Sequence, residues 1–195
     1  INKKLGLRGE LIEVKTVHSL ALAICLYDQS HHLSITNSSQ VIMRAVHNAI
    51  RTCRKDPSFP IEYHDPQYAL HTIERIKQKE PDLLFDNMYR HDIQLCQAFN
   101  QALGAMGMCT FSDLAPKALD ILQRNPDIVQ LWRERYSVFF IDEAQDLNPI
   151  QFALIQRLLP PNPNITVVGD DDQCIYSWRG SDPDALRQLS QLYPQ

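Results

Sequence analysis

Two stretches of this chain run from apolar residues straight into carboxylates and amides. The first is Val138-Phe139-Phe140-Ile141-Asp142-Glu143-Ala144-Gln145-Asp146. The second follows after a helix-length gap: Ile165-Thr166-Val167-Val168-Gly169-Asp170-Asp171-Asp172-Gln173, continuing into Tyr176, Trp178 and Arg179. Consecutive β-branched and aromatic residues read as strands buried on both faces, as in a parallel sheet. Polar groups at the carboxyl ends of such strands sit where open α/β sheets bind ligands. Adjacent carboxylates suit Mg²⁺, which takes one or two hard oxygens from the protein and arrives with phosphate. A second carboxylate beside the first can orient or deprotonate an attacking water. A solvated acidic turn explains one Asp-Glu pair. It does not explain two such strand ends in tandem, each with a glutamine.

The elements that position these residues are legible from periodicity and punctuation. Glu10 to Asp28 reads as a strand followed by a helix through Leu20–Leu26. From about Gln29 to Gly107 the strand-like runs disappear. Val41-Ile42, Ala45-Val46 and Ala49-Ile50 recur at helical spacing, and Tyr68–Lys79 and Ile93–Leu103 read likewise. Pro57, Pro60, Pro66 and Pro81 punctuate the gaps. A helix follows between Thr110 and Arg124, and Pro116 puts its cap at Asp113 or later, because proline is tolerated only in the first turn. Leu114, Ala118, Ile121 and Leu122 share one of its faces. Asn148-Pro149 predicts an N-cap with proline at the first helical position, and Pro160-Pro161 ends that helix. Asp182-Pro183 repeats the device before Ala185–Leu192. Strand, helix, strand, helix predicts parallel strands with right-handed crossovers.

The two acidic stretches together resemble the Walker B and following motif of UvrD/Rep-type superfamily 1 DNA helicases. The long second run, through Trp178-Arg179-Gly180-Ser181, is the more specific of the two. The resemblance implies that Asp142 holds Mg²⁺, that Glu143 activates the hydrolytic water and that Gln173 senses the γ-phosphate. It implies that Tyr176, Trp178 and Arg179 face single-stranded DNA. Thr16-Val17-His18 is similar to the Thr-Phe-His segment of the same family, which implies DNA-backbone contacts from Thr16 and His18; Val17 stands where Phe is usual. The implied fold is α/β: part of a RecA-like P-loop NTPase domain, a parallel sheet with helices on both faces, carrying an inserted helical subdomain. Residues 1–28 and 108–195 then belong to the motor and 29–107 to the accessory insert. Arg51, Arg54 and Lys55 end the first helix of that insert, where they either grip phosphates or complement the helix C-terminus.

No Gly-x-x-x-x-Gly-Lys-Ser/Thr loop is present: none of Gly6, Gly9, Gly104, Gly107, Gly169 and Gly180 begins it. The expectation is a middle piece of a larger helicase, inactive alone. The parent would use ATP and Mg²⁺ to move 3′-to-5′ on single-stranded DNA and open single-strand/duplex junctions, together with its remaining helicase domains. The alternatives are a DNA-binding module that hydrolyses nothing and the motor part of a helicase–nuclease subunit. The DNA pathway served, repair among them, stays open.

Composition fits a folded cytoplasmic piece, nucleoid-associated if bacterial. The chain has 195 residues, 44% of them hydrophobic, and no apolar run near the roughly 18 residues of a membrane span. Five cysteines without a Cys-x-x-Cys pair argue for reduced thiols, and His31, His32, His64 and His71 lack metal-ligand spacing. Net charge is −4, but residues 139–195 carry three basic side chains against eight acidic ones. Acid concentrates where a metal and its nucleotide would bind. DNA binding then depends on local patches and stacking.

Stacking is sequence-tolerant because every base has a π-face. Trp178→Ala in the parent should therefore cost about 1–3 kcal/mol of single-strand affinity, equally for mixed and homopolymer strands. Titration beside a thermal melt checks this. Unchanged affinity with a lowered melting temperature would make Trp178 a packing residue.

Overall fold

The computed structural model describes residues 12–28, 34–79, 90–170 and Gln191. Its elements run α1 (Val17–Tyr27), β1 (Ser34–Ile35), α2 (Ser39–Cys53), α3 (Pro66–Lys77), α4 (Arg90–Gly104), β2 (Met108–Cys109), α5 (Leu114–Arg124), α6 (Pro126–Arg135), β3 (Phe139–Ile141), α7 (Pro149–Leu158) and β4 (Ile165–Val167). The chain is mixed α/β. Among the described residues the strands form two parallel pairs, β1 with β2 and β3 with β4. No described helix is long and apolar enough to cross a membrane.

Helix boundaries follow local chemistry. Asp65 caps α3 by accepting from the Tyr68 N–H at 2.7 Å, with Pro66 at the first helical position. Asn148 and Gln151 exchange side-chain-to-backbone bonds of 3.0 and 3.2 Å at the start of α7, again followed by proline. Each cap satisfies N–H groups that a helix start leaves without carbonyl partners. A tight turn over Phe111–Asp113 precedes α5, and Thr110 and Asp113 cap it reciprocally. Pro116 thus falls in the first turn of α5, as its lost N–H requires.

The apolar residues segregate. One buried cluster draws only on α2, α3, α4 and the turns between them, including Val46, Ile50, Ile73, Leu95, Phe99 and Leu103. Within it, Asp92 at the start of α4 accepts from the Tyr63 hydroxyl and, at 2.8 Å, from Arg75 of α3. A second cluster joins α1, α5, α6 and α7 through Ile24, Leu114, Leu122, Trp132 and Leu154. A third, smaller one comprises Ala144, Leu147 and Phe152, with Val17, Ile141, Ile155 and Val167 packed against it. The β1–β2 pair lies where the chain enters and leaves the first cluster.

The end of α3 ties the first cluster to the others. Lys77 is only 5% exposed, and its ammonium lies 2.7 Å from Asp113 Oδ1 and 3.2 Å from Thr110 Oγ1. The Phe99 ring centroid is 4.5 Å away on another side. Asp113 Oδ2 accepts from both the backbone N–H and the hydroxyl of Thr110 at 2.7 Å. Next to Lys77, the Gln78 carbonyl accepts from the Ile150 N–H of α7 at 3.2 Å. A buried charge pair is tolerated only when its remaining donors and lone pairs find partners, and this one meets that condition.

Three sequence expectations need correction. Residues 12–16 form no strand. No described strand lies beside them, and Glu13 is instead bound to Lys15, Arg135 and Tyr136; hydrogen bonds from Lys15 and Tyr136 hold its carboxyl below the usual carboxylate range. The helical stretch is not free of strands, because Ser34–Ile35 pairs with Met108–Cys109. Both pieces are two residues long, too short for a periodic signal. The run through Phe139–Ile141 is not buried on both faces. Phe139 and Ile141 are half-buried while Phe140 is 67% exposed. No described element covers its side of the pair. The expected helix after Asp182-Pro183 lies outside the described residues, apart from Gln191. Helix α6 has no counterpart in the sequence reading, although Asn125-Pro126 carries the same cap-and-proline signal as α7.

Asp113→Ala would leave the Lys77 ammonium buried without its counter-charge. The expected loss is about 3–5 kcal/mol of unfolding free energy, read from a urea titration. A loss below about 1 kcal/mol would show that Lys77 escapes to solvent.

Candidate active site

The register of β3 against β4 builds the site. Phe139, Phe140 and Ile141 pair with Ile165, Thr166 and Val167, so both strands end at the same level. The ladder runs one step further, with the Val168 N–H donating to the Ile141 carbonyl at 2.8 Å. The Ala144 N–H then returns to the Val168 carbonyl at 3.0 Å. To bring Ala144 back within reach, the backbone must reverse over Asp142 and Glu143. Glu143 takes the left-handed conformation, φ 54° and ψ 43°. It is the single non-glycine residue with positive φ among those described. For a residue with a Cβ this costs on the order of 1–3 kcal/mol, and such strain concentrates at functional sites.

Both acidic side chains of this turn are exposed. Asp142 Oδ1 accepts from the Glu143 N–H at 3.1 Å, which fixes the Asp142 carboxylate beside the strand end. Gln145 is the opposite case: a polar side chain 2% exposed. Its Nε2 donates to Glu143 Oε2 at 2.6 Å, and its Oε1 accepts from the Asp170 backbone N–H at 3.1 Å. One amide therefore bridges the turn after β3 and the segment after β4. Ala144, its neighbour in the chain, forms an apolar floor with Leu147 and Phe152.

Asp142 fits a hydrated divalent cation. No group of three or more His, Cys, Asp or Glu side chains forms a metal cage among the described residues. Mg²⁺ needs none, since it keeps waters and binds through one or two carboxylates plus substrate phosphate. The described cysteines Cys25, Cys53, Cys96 and Cys109 are free and buried. Burial pushes the Cys25 and Cys96 thiols up to about 11, which leaves them protonated and poor metal ligands at neutral pH.

The Thr16-Val17-His18 segment lies at the edge of the same region. Val17 packs against the apolar floor, while Thr16 and His18 on either side are exposed. Thr16 caps α1: its Oγ1 accepts from the Ser19 N–H at 3.1 Å. That role occupies a lone pair and leaves the hydroxyl proton able to donate. Arg51 lies in the last turn of α2, Arg54 follows as its cap, and Lys55 comes next; all three are exposed. Gln173, Tyr176, Trp178 and Arg179 lie outside the described residues. The sequence reading gave Gln145 no role. Its signal was position alone, an amide three residues after Asp142 in a turn whose geometry only the fold supplies.

The chain is similar to known DNA helicases over part or all of its length. The UvrD/REP helicase N-terminal domain family matches residues 1–194. The ATP-dependent DNA helicase Rep of Escherichia coli K12 is 38% identical over 109 residues, covering 56% of this chain and 16% of Rep. The ATP-dependent DNA helicase PcrA of Staphylococcus aureus Mu50 is 24% identical over 204 residues, covering 100% of this chain and 28% of PcrA. A putative ATP-dependent DNA helicase of Bacillus subtilis, YjcD, is 38% identical over 84 residues, 43% of this chain and 11% of that protein. The chain thus spans only a minor part of each of these relatives. With a match across nearly its whole length, the chain belongs to the UvrD/REP helicase N-terminal domain family.

Proposed function

We propose that this chain is the part of an ATP-dependent DNA helicase that carries the catalytic carboxylates of the motor. The observation that carries the reading is the pair Asp142 and Glu143 on a strained turn, where two parallel strands end in register. Asp142 is the residue to hold Mg²⁺. When bound, the cation neutralises charge on the phosphate oxygens. Glu143 accepts a proton from water as the water oxygen bonds to the terminal phosphorus of ATP and the bond to the ADP oxygen breaks. Gln173 reads the γ-phosphate from the segment that follows Asp170.

DNA is assigned to Thr16 and His18 on one side and to Tyr176, Trp178 and Arg179 on the other. Aromatic rings stack on bases and Arg reaches phosphate, so a single strand is gripped without regard to sequence. Turnover coupled to that grip moves the protein 3′-to-5′ and opens duplex at a junction, with a cytoplasmic site of action. The motor is completed by a phosphate-cradling loop and further helicase domains of the parent. The separation of the apolar clusters supports dividing the chain into motor residues 1–28 and 108–195 and a helical insert at 29–107. The fuller sheet with helices on both faces is likewise part of this proposal.

In the full-length protein, Glu143→Gln should bind ATP with wild-type affinity and lose turnover by at least about 100-fold, since an amide holds water but takes no proton. Asp142→Ala should instead weaken Mg²⁺-dependent nucleotide binding. Steady-state ATPase assays with saturating single-stranded DNA, beside nucleotide titrations, separate the two. A Gln variant that keeps most of the wild-type rate would remove Glu143 from the chemistry.

A further inference from the structure

The Glu143 carboxylate has one hydrogen-bond partner among the described residues, and it is the Gln145 amide. A long, exposed Glu side chain has rotamer freedom worth up to about 1.5–2 kcal/mol, so an untethered carboxylate spreads over many orientations. General-base catalysis needs one of them, with an oxygen within hydrogen-bond reach of the water. The Gln145 side chain is itself immobile by construction. It is 2% exposed and is anchored at its far end by the Asp170 N–H. That anchor also fixes which way the amide points. A backbone N–H only donates, so it must meet the amide oxygen; the NH₂ group is thereby turned toward the carboxylate. The direction of both bonds follows from chemistry rather than from an arbitrary choice of amide flip.

We infer that Gln145 is a positioning residue for hydrolysis: its buried amide holds the Glu143 carboxylate in the orientation that receives the proton of water, and it sets that orientation by reference to the Asp170 backbone. The inference rests on Glu143 being the proton acceptor. It adds a residue that acts through Glu143 and touches neither nucleotide nor metal. The backbone bonds between Ile141, Val168 and Ala144 already hold the strand ends together. The strand ends therefore have links of their own beside the amide, whose Nε2 donates to the carboxylate.

The test is made in the full-length protein. Gln145→Met keeps length and volume and removes both hydrogen bonds; Gln145→Asn keeps the amide but is one methylene too short to span from Glu143 to Asp170. Both should lower kcat for DNA-stimulated ATP hydrolysis by about 10- to 100-fold, the usual size for a misplaced catalytic group. KM for ATP, the nucleotide dissociation constant and the melting temperature should stay near wild type. In a Glu143→Gln background, Gln145→Met should reduce the single-turnover rate no further, because the two residues act as one unit. Wild-type kcat in both Gln145 variants, with Glu143→Gln inactive, would overturn the positioning role and leave the Glu143 assignment standing. An active Glu143→Gln would instead remove the assignment on which it rests. A fall in kcat matched by weaker nucleotide binding and a lower melting temperature, or failure of both variants to fold, would make Gln145 a structural link and overturn the proposal.

Discussion

The in-register ending of β3 against β4 is the constraint from which the site follows. Once Ile141 pairs with Val167, the next ladder bond goes from Val168 back to Ile141, and the one after returns from Ala144 to Val168. Two residues must then reverse the chain, and the second of them, Glu143, is forced into the left-handed region. The reversal lifts the Asp142 and Glu143 side chains out of the sheet into solvent and drops Ala144 and Gln145 into the interior. Exposed acid and buried amide are two consequences of one backbone path. Strain of this size persists only where surrounding bonds over-determine it, and here the ladder bonds on either side do so.

The site stands on packing that reaches from the beginning of the described chain to α7. Val17 at the start of α1 and Phe152 on α7 meet under the turn. The end of α3 is fastened to the same body through Lys77, Asp113 and Thr110, and through the Gln78 carbonyl. A fully partnered buried ion pair contributes little net stability, since desolvation offsets most of its attraction. Its geometric demands are strict, however, so it fixes where the helical cluster of α2, α3 and α4 sits relative to α5. Under the proposed function this junction is the mechanical contact between insert and motor.

Charge and function are consistent at this scale. An acidic surface near the strand ends is unfavourable for DNA and favourable for a cation with its nucleotide. The exposed cations Arg51, Arg54 and Lys55 lie at the far end of α2, on the other apolar cluster. The carboxylates at the strand ends and these cations therefore lie on different apolar clusters, which a net charge of −4 does not reveal.

Features that depend on near neighbours along the chain are legible in its residues. Caps and proline positions marked the starts of α5 and α7, because a cap bonds within three or four residues. Helical spacing exposed the buried face of α2, and the ordered pair of acidic motifs identified the family. The tertiary structure alone decided what depends on residues distant in sequence. The pairing of Ser34–Ile35 with Met108–Cys109 is too short to carry a pattern, and the exposure of Phe140 depends on what lies across the sheet. The burial of Lys77 depends on an aspartate 36 positions later. The left-handed turn at Glu143 and the reach of Gln145 to Asp170 arise from strand register, which no local composition specifies. Short-range hydrogen bonds and periodicity are written in the sequence; register and partner choice are settled only when the strands meet.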